Sequence, residues 1–194
     1  MIDSKAQTNG DDIQSSLERR FRQEHDAAFD EIIEHYSPVV RRLVHRLLAW
    51  DQETDDVVQD VFVAVFVHRR RFRAQASLKT WIYSIAVNIC RTRNRRRLIW
   101  QTFIANTNHD TRDVQFENPL SASLNQEQAD KVRQAARRLP MKYRDVVVLK
   151  YLEELPTGQI LDILKIDEKA FYTRLNRARN HMQTLLADYL DEKK

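Results

Sequence analysis

One cysteine, two glycines and four prolines in 194 residues exclude several classes of protein at the outset. With Cys90 as the single thiol, the chain has neither an internal disulfide framework nor a multi-cysteine zinc site. So few glycines disfavour hairpin-rich β architecture, whose tight turns need residues at positive φ, and an all-α chain is expected. There is no glycine-rich phosphate loop, and the six histidines keep no metal-ligand spacing such as H-E-x-x-H. No apolar run approaches the roughly 18 residues that a membrane span needs. The opening MIDSKAQTNGDD is polar throughout and does not read as a signal peptide. A cytoplasmic protein without cofactor, metal or membrane insertion is therefore expected. An enzyme would have to use the acids between 51 and 60, which have no base or nucleophile nearby.

Acids are also missing locally. The net charge is only +4, but from Arg69 to Arg97 there are ten Lys/Arg and no Asp or Glu, with Phe72, Trp81 and Tyr83 in the same stretch. Ile82, Ile85, Ala86 and Ile89 fall at i, i+3, i+4 and i+7, the spacing of one apolar helical stripe. Ser84, Asn88, Arg91 and Arg95 line up on the opposite side. A helix anchored along one face, with cations on the other and aromatics at its start, suits a polyanion, with nucleic acid first among the candidates. A merely solvated basic face is the alternative.

The pattern along the chain predicts two small helical domains. Residues 1–15 are expected to be disordered, 16–98 to form the first domain, 99–122 a flexible linker and 123–190 the second domain. In the first, a helical pattern from Leu17 breaks at Pro38, and a second helix carries Val40, Leu43, Val44, Leu47 and Leu48. A third helix is predicted over 54–68, its positive end matched by the acids of 51–56. Ser77 is the expected N-cap of the basic helix, which runs to about Arg97. In the second domain, Ser123-Leu-Asn-Gln126 has the form of a capping box, Pro140 fits the first turn of a helix over 141–153, and two helices follow at 157–164 and 168–187. Cys90 lies beside the apolar stripe and reads as a buried thiol.

The last two helices, with Lys165-Ile166-Asp167 between them, have the pattern of a helix-turn-helix. Phe171, Leu175, Ala178 and Met182 form the inward stripe of the last helix. Lys169, Thr173, Asn176 and Asn180 face away, with Tyr172, Arg174, Arg177 and Arg179 on the flanks. These groups offer donors for base edges and cations for phosphates. A bundle helix with solvated charges has the same pattern.

Taken in order, these segments resemble a bacterial sigma factor of the extracytoplasmic-function (ECF) group, whose region 2 and region 4 are joined by a linker. Asp55-Asp56-Val-Val-Gln59-Asp60-Val-Phe62 is similar to that family's acidic D-x-x-Q-x-x-F helix. Phe72-Arg73 and Ser77-Leu-Lys79-Thr80-Trp81-Ile-Tyr83, with Ile85-Ala86 and Asn88, resemble its promoter-melting segment. Leu139-Pro140-x-x-Tyr143-Arg144 and Arg174-Leu-x-Arg177-Ala178-Arg179 resemble its region 4. The resemblance implies an RNA polymerase subunit that directs promoter recognition and melting and has no catalytic residues of its own. By the same resemblance, Asp55, Asp56, Gln59 and Asp60 would dock on the clamp coiled coil of the largest polymerase subunit, with Phe62 packed inward. Arg73, Lys79, Trp81, Tyr83, Asn88, Arg91, Arg95 and Arg96 would hold the single-stranded −10 element, and Lys169, Tyr172, Thr173, Arg174, Asn176 and Arg177 would read the duplex −35 element. An anti-sigma factor is the further partner implied.

Departures from the family pattern cluster in the helix-turn-helix. Leu161 stands where a small residue is usual, Lys165 where glycine is common, and Phe171 where a smaller β-branched residue is common. Pro156-Thr157-Gly158 replaces the usual start, and in the first domain Ala74 replaces a common glycine and Thr92 a common aspartate. These differences keep a second reading open, a sigma-like DNA-binding regulator or decoy that does not support initiation.

Overall fold

The computed structural model describes residues 16–23, 26–48, 53–107, 132 and 134–191, and among them every regular element is helical, with no strand. In chain order the helices are α1 (16–22), α2 (Asp26–Leu47), α3 (Thr54–His68), α4 (Leu78–Thr107), α5 (134–138), α6 (Met141–Val147), α7 (Thr157–Leu164) and α8 (Glu168–Asp191). The expected disorder of 1–15 and the capping box at Ser123 lie outside the described residues.

In the first domain α2, α3 and α4 pack on one another, with α1 tied to the group by polar contacts. Val57, Val61 and Val65 of α3 meet Val40, Leu43 and Val44 of α2 and Ile82, Ala86 and Val87 of α4 in one buried cluster. Each large aliphatic side chain so buried contributes about 1.5–3 kcal/mol. The start of α4 is doubly capped. Thr80 donates its N–H to Ser77 Oγ at 3.2 Å, as expected of an N-cap, and Leu78 donates its N–H to Glu18 Oε1 at 3.0 Å.

Two expected boundaries are corrected. Pro38 lies inside α2 instead of breaking it. The proline ring leaves the Glu34 carbonyl without its helical donor, but both residues are exposed, so water can take that carbonyl. The linker was expected from residue 99, yet α4 continues to Thr107. Residues 98–107 contain no glycine or proline to stop it. The extension exposes Leu98, Ile99, Trp100 and Phe103, and the rings of Trp100 and Phe103 stack with centroids 6.0 Å apart.

In the second domain α6 widens into a π-helical stretch over Val148–Leu152, where Glu153 donates its N–H to the Val148 carbonyl at 2.9 Å. The turn into α8 has a left-handed residue at the position where the family commonly has glycine. Lys165 sits at φ 53°, ψ 52°, and its N–H reaches the Leu161 carbonyl, as does that of Ile166 at 3.3 Å. Asp167 Oδ1 accepts from the Ala170 N–H at 2.6 Å, which makes it the N-cap of α8. Ala74, the other site of an expected glycine, is also at positive φ, 55°. A side chain at αL costs about 1–2 kcal/mol, part of which glycine returns as unfolded-state entropy. Lys165→Gly is accordingly expected to stabilise the fold by about 0.5–1 kcal/mol and raise Tm by about 2 °C. A thermal melt with Tm unchanged or lower contradicts this.

The two domains form one body. Their buried apolar residues make a single cluster, in which α7 packs on α4 and α6 reaches α2 and α4.

Candidate polymerase and promoter interfaces

The outer side of α3 carries the first group of candidate residues. Asp55, Asp56 and Gln59 are exposed, Asp60 is half-buried, and Phe62 turns inward at 6% exposure. Asp55 is paired with Arg41 of α2 yet keeps 74% of its side chain exposed. Asp60 accepts from Arg93 of α4 at 2.6 Å, and Glu53 lies 3.6 Å from the same guanidinium. The hydrogen bond to Asp60 raises the Arg93 pKa above its usual value. Arg93 is thus a brace between α3 and α4. Beside the acids runs an apolar groove of about 520 Å³ between α2 and α3, lined among others by Phe29, Ile33, Val58 and Phe66. Val63 and Val67 stand 57% and 63% exposed on the same helix. Phe66 is held by the ring of Phe29, 5.0 Å away, and by the Arg69 guanidinium, 4.1 Å from its centroid. Sequence reasoning found the acids but missed the groove. The run of Val63, Phe66 and Val67 on a face away from the Val57–Val61–Val65 stripe is the signal that pointed to it.

On α4 the candidate −10 residues fall into two sets. Arg73, Asn88, Arg95 and Arg96 are exposed, and Lys79 is half-buried. Trp81 packs against Phe72 and Phe21, at centroid distances of 5.4 and 6.1 Å, and is only partly buried in that trio. Tyr83 corrects its expectation as an open stacking surface. It is fully buried, and its hydroxyl donates to Glu153 Oε2 at 2.9 Å. Burial, reinforced by the Glu153 charge, raises the phenol pKa well above its ordinary value. Arg91 donates from Nε to Asp145 Oδ2 at 2.6 Å. Tyr83 is closed to a nucleic acid in this arrangement, and Arg91, 29% exposed, has its Nε taken by the second domain. Sequence periodicity locates a stripe but does not say which domain buries it.

The seam between the domains is polar and dense. Arg46 donates to Glu153 Oε1 and to the Leu152 carbonyl, both at 2.6 Å. The Leu47 carbonyl, at the end of α2, receives Asn94 Nδ2 at 3.1 Å and Arg144 Nη1 at 3.0 Å. Burial pushes the Asp145 carboxyl above its ordinary value, with Arg91 opposing, and lowers the Arg144 pKa. Cys90, buried at this seam as expected, has its thiol pushed up to about 12 by burial and by the Asp145 charge. Such a thiol carries almost no thiolate near neutral pH and is chemically quiet.

The outer face of α8 is arranged as expected. Lys169, Tyr172, Thr173, Asn176 and Arg177 are exposed and Arg174 is half-buried, while Phe171, Leu175 and Ala178 face inward. The residues that set this helix-turn-helix apart occupy different environments. Phe171 is fully buried, Leu161 packs partly against the same core, and open space surrounds the position of Gly158.

An acidic helix beside an apolar groove, a basic helix with an aromatic base and a helix-turn-helix define a two-domain helical protein built to contact both a protein and nucleic acid. Residues 32–98 match sigma-70 region 2, and residues 129–182 match sigma-70 region 4. The chain is 30% identical over 168 residues to the ECF RNA polymerase sigma factor SigW of Bacillus subtilis, covering 83% of this chain and 90% of that one. It is 26% identical over 174 residues to the RNA polymerase sigma-H factor of Pseudomonas aeruginosa, covering 85% and 89%. The protein belongs to the ECF sigma factors of RNA polymerase. Its fold is similar to that of CnrH, solved in complex with the cytosolic domain of CnrY, with TM-score 0.65 and 19% identity over 90% of this chain and 97% of that one. It is also similar to the sigma factor RpoE of Bartonella quintana, solved with the anti-sigma factor NepR, with TM-score 0.63 and 19% identity over 82% and 96%. Among the described residues no helix is long and apolar enough to cross a membrane.

Proposed function

We propose that this chain directs RNA polymerase to its promoters through three separate surfaces and leaves the chemistry of RNA synthesis to the polymerase. The α2–α3 groove, rimmed by Asp55 and Gln59 with Asp56 exposed beside them on α3, docks on a polymerase helix that brings apolar and basic side chains. Asp60 supports this surface through Arg93 and is not one of its free acceptors. Arg73, Lys79, Asn88, Arg95 and Arg96 hold the −10 strand, Trp81 offers its open edge, and Tyr83 and Arg91 join once the second domain has moved away. Stacking on such side chains is worth about 1–3 kcal/mol per base, enough to offset the cost of unstacking. On α8, Lys169, Tyr172, Thr173, Arg174, Asn176 and Arg177 read the −35 duplex from the major groove.

The observation that carries this reading is the coexistence, in a member of this family, of the acid-rimmed apolar groove and the exposed polar row of α8. An anti-sigma factor is the expected regulator, since the structural relative from Bartonella quintana is held by one. Initiation in vitro with purified core enzyme and a library of genomic fragments from the native host tests the reading. The expected result is a set of start sites sharing two upstream elements. Neither core binding nor an open complex would leave the decoy reading in its place.

A further inference from the structure

Two tyrosines from the α6 segment hold arginines of α8. The Tyr151 hydroxyl accepts from Arg179, at 3.3 Å from Nε and 2.8 Å from Nη2. The Tyr143 hydroxyl accepts from Arg177, which holds that phenol below its ordinary pKa, and the ring of His181 lies 5.2 Å from that of Tyr143. Arg177 and Arg179 are both exposed. Residues two positions apart on a helix are separated by about 200°, so the two arginines stand on opposite flanks of α8, with Thr173, Asn176 and Asn180 in the sector between them.

Tyr151 is 46% exposed and leaves the backbone within the π-helical stretch Val148–Leu152, a turn type that recurs at functional sites. Water competes for both partners, so their hydrogen bond adds little to the stability of the fold. Its larger effect is on Arg179. A long side chain held in one geometry beforehand loses less freedom when it meets a ligand. The bond occupies one edge of the guanidinium and leaves the other edge for an acceptor.

We propose that Tyr151 is a positioning residue of the −35 interface, holding Arg179 against a phosphate on the groove wall opposite the one that Arg177 faces. This rests on the reading of α8 as the −35 helix. A helix with its side chains is about 10–12 Å across, and the major groove is about 12 Å wide. With Thr173, Asn176 and Asn180 turned to the base edges, the two flanks therefore meet the backbones of the two strands. Arginine suits this contact, because its fork keeps the phenol oxygen on one edge and offers N–H groups to phosphate oxygens from another. The pair fixes how α8 sits in the groove without touching a base, which is what backbone contacts do.

The test uses holoenzyme assembled from the full-length chain and purified core, with a fluorescent duplex that carries the two upstream elements shared by the mapped start sites. Arg179→Ala is expected to lower affinity about fivefold and to lessen the slope of log affinity against log salt by about one, the signature of one lost phosphate contact. Tyr151→Phe keeps the cation and is expected to lose about threefold. In the Arg179→Ala background the same change is expected to cost nothing further, because Tyr151 acts only through Arg179. A thermal melt checks each fold, and Arg179→Gln takes the place of alanine if that variant unfolds. Tyr151→Phe that binds like the unmodified chain, or that weakens binding equally in both backgrounds, overturns the positioning role. Arg177→Ala in the same series keeps the two readings apart. Loss there with none at Arg179 removes the Tyr151–Arg179 contact alone, whereas loss at neither removes α8 as the −35 reader and this role with it.

Discussion

Val63→Asp is expected to lower affinity for polymerase core by about 30- to 1,000-fold, a loss of about 2–4 kcal/mol, and to leave the fold unchanged. Val63 is 57% exposed on α3 and lines the groove between α2 and α3, so the folded chain alone loses little when it is replaced. Exposed substitutions of this kind stay within about 0.5 kcal/mol in stability. In the docked state the same position is covered, and a buried carboxylate without a partner is costly. It would also stand one helical turn from Gln59 and Asp60, on a rim where Asp55 already places a carboxylate. Titration of the variant against purified core, with a thermal melt as the control for folding, is the measurement. A core affinity within about threefold of the unmodified chain removes the groove from the docking surface.

How much of this was legible in the residues depends on the range of the interaction concerned. The N-cap Ser77, the limits of α3 and the inward stripe of α8 follow from chemistry within a few positions, and the structure has each of them. Pro38 misled because a break was inferred from the lost hydrogen bond without knowing that its carbonyl faces water. The length of α4 misled for a related reason. The polar composition of the expected linker hid a helix-compatible run from Leu98 to Thr107, which keeps four large apolar side chains exposed.

The seam between the domains was harder to foresee. Tyr83 flanks the predicted apolar stripe and Arg91 lies opposite it, positions where a side chain can face solvent, DNA or another domain with the same local sequence. What decides is Asp145 and Glu153, 54 and 70 positions away. Nothing in the periodicity of either segment links them. The pairing depends on the packing of α6 and its π-helical end against α4. The candidate sites therefore divide cleanly. The α3 and α8 faces stand open as the pattern suggests, while part of the −10 face is occupied by the chain itself.

Arg144→Ala is expected to cost about 3–5 kcal/mol and to lower Tm by about 10 °C, although the residue touches none of the proposed ligands. The sequence motif marked Arg144 as part of region 4, and its physical role is that of a shared C-cap. The residue is 7% exposed, and its guanidinium donates to the Leu47 carbonyl at 3.0 Å, to the Leu139 carbonyl at 3.1 Å and to the Arg137 carbonyl. These carbonyls lie at the ends of α2 and α5, where helical N–H donors run out. Alanine would leave Arg137 and Leu139 without this donor, with Leu47 retaining only Asn94, and would remove a positive charge from beside buried Asp145. Lysine cannot copy the guanidinium fork, so Arg144→Lys should recover less than half of the loss. Calorimetry on the three proteins checks the order, with the unmodified chain melting highest, Arg144→Lys below it and Arg144→Ala lowest. An alanine variant melting within about 2 °C of the unmodified chain shows that the capping contributes little.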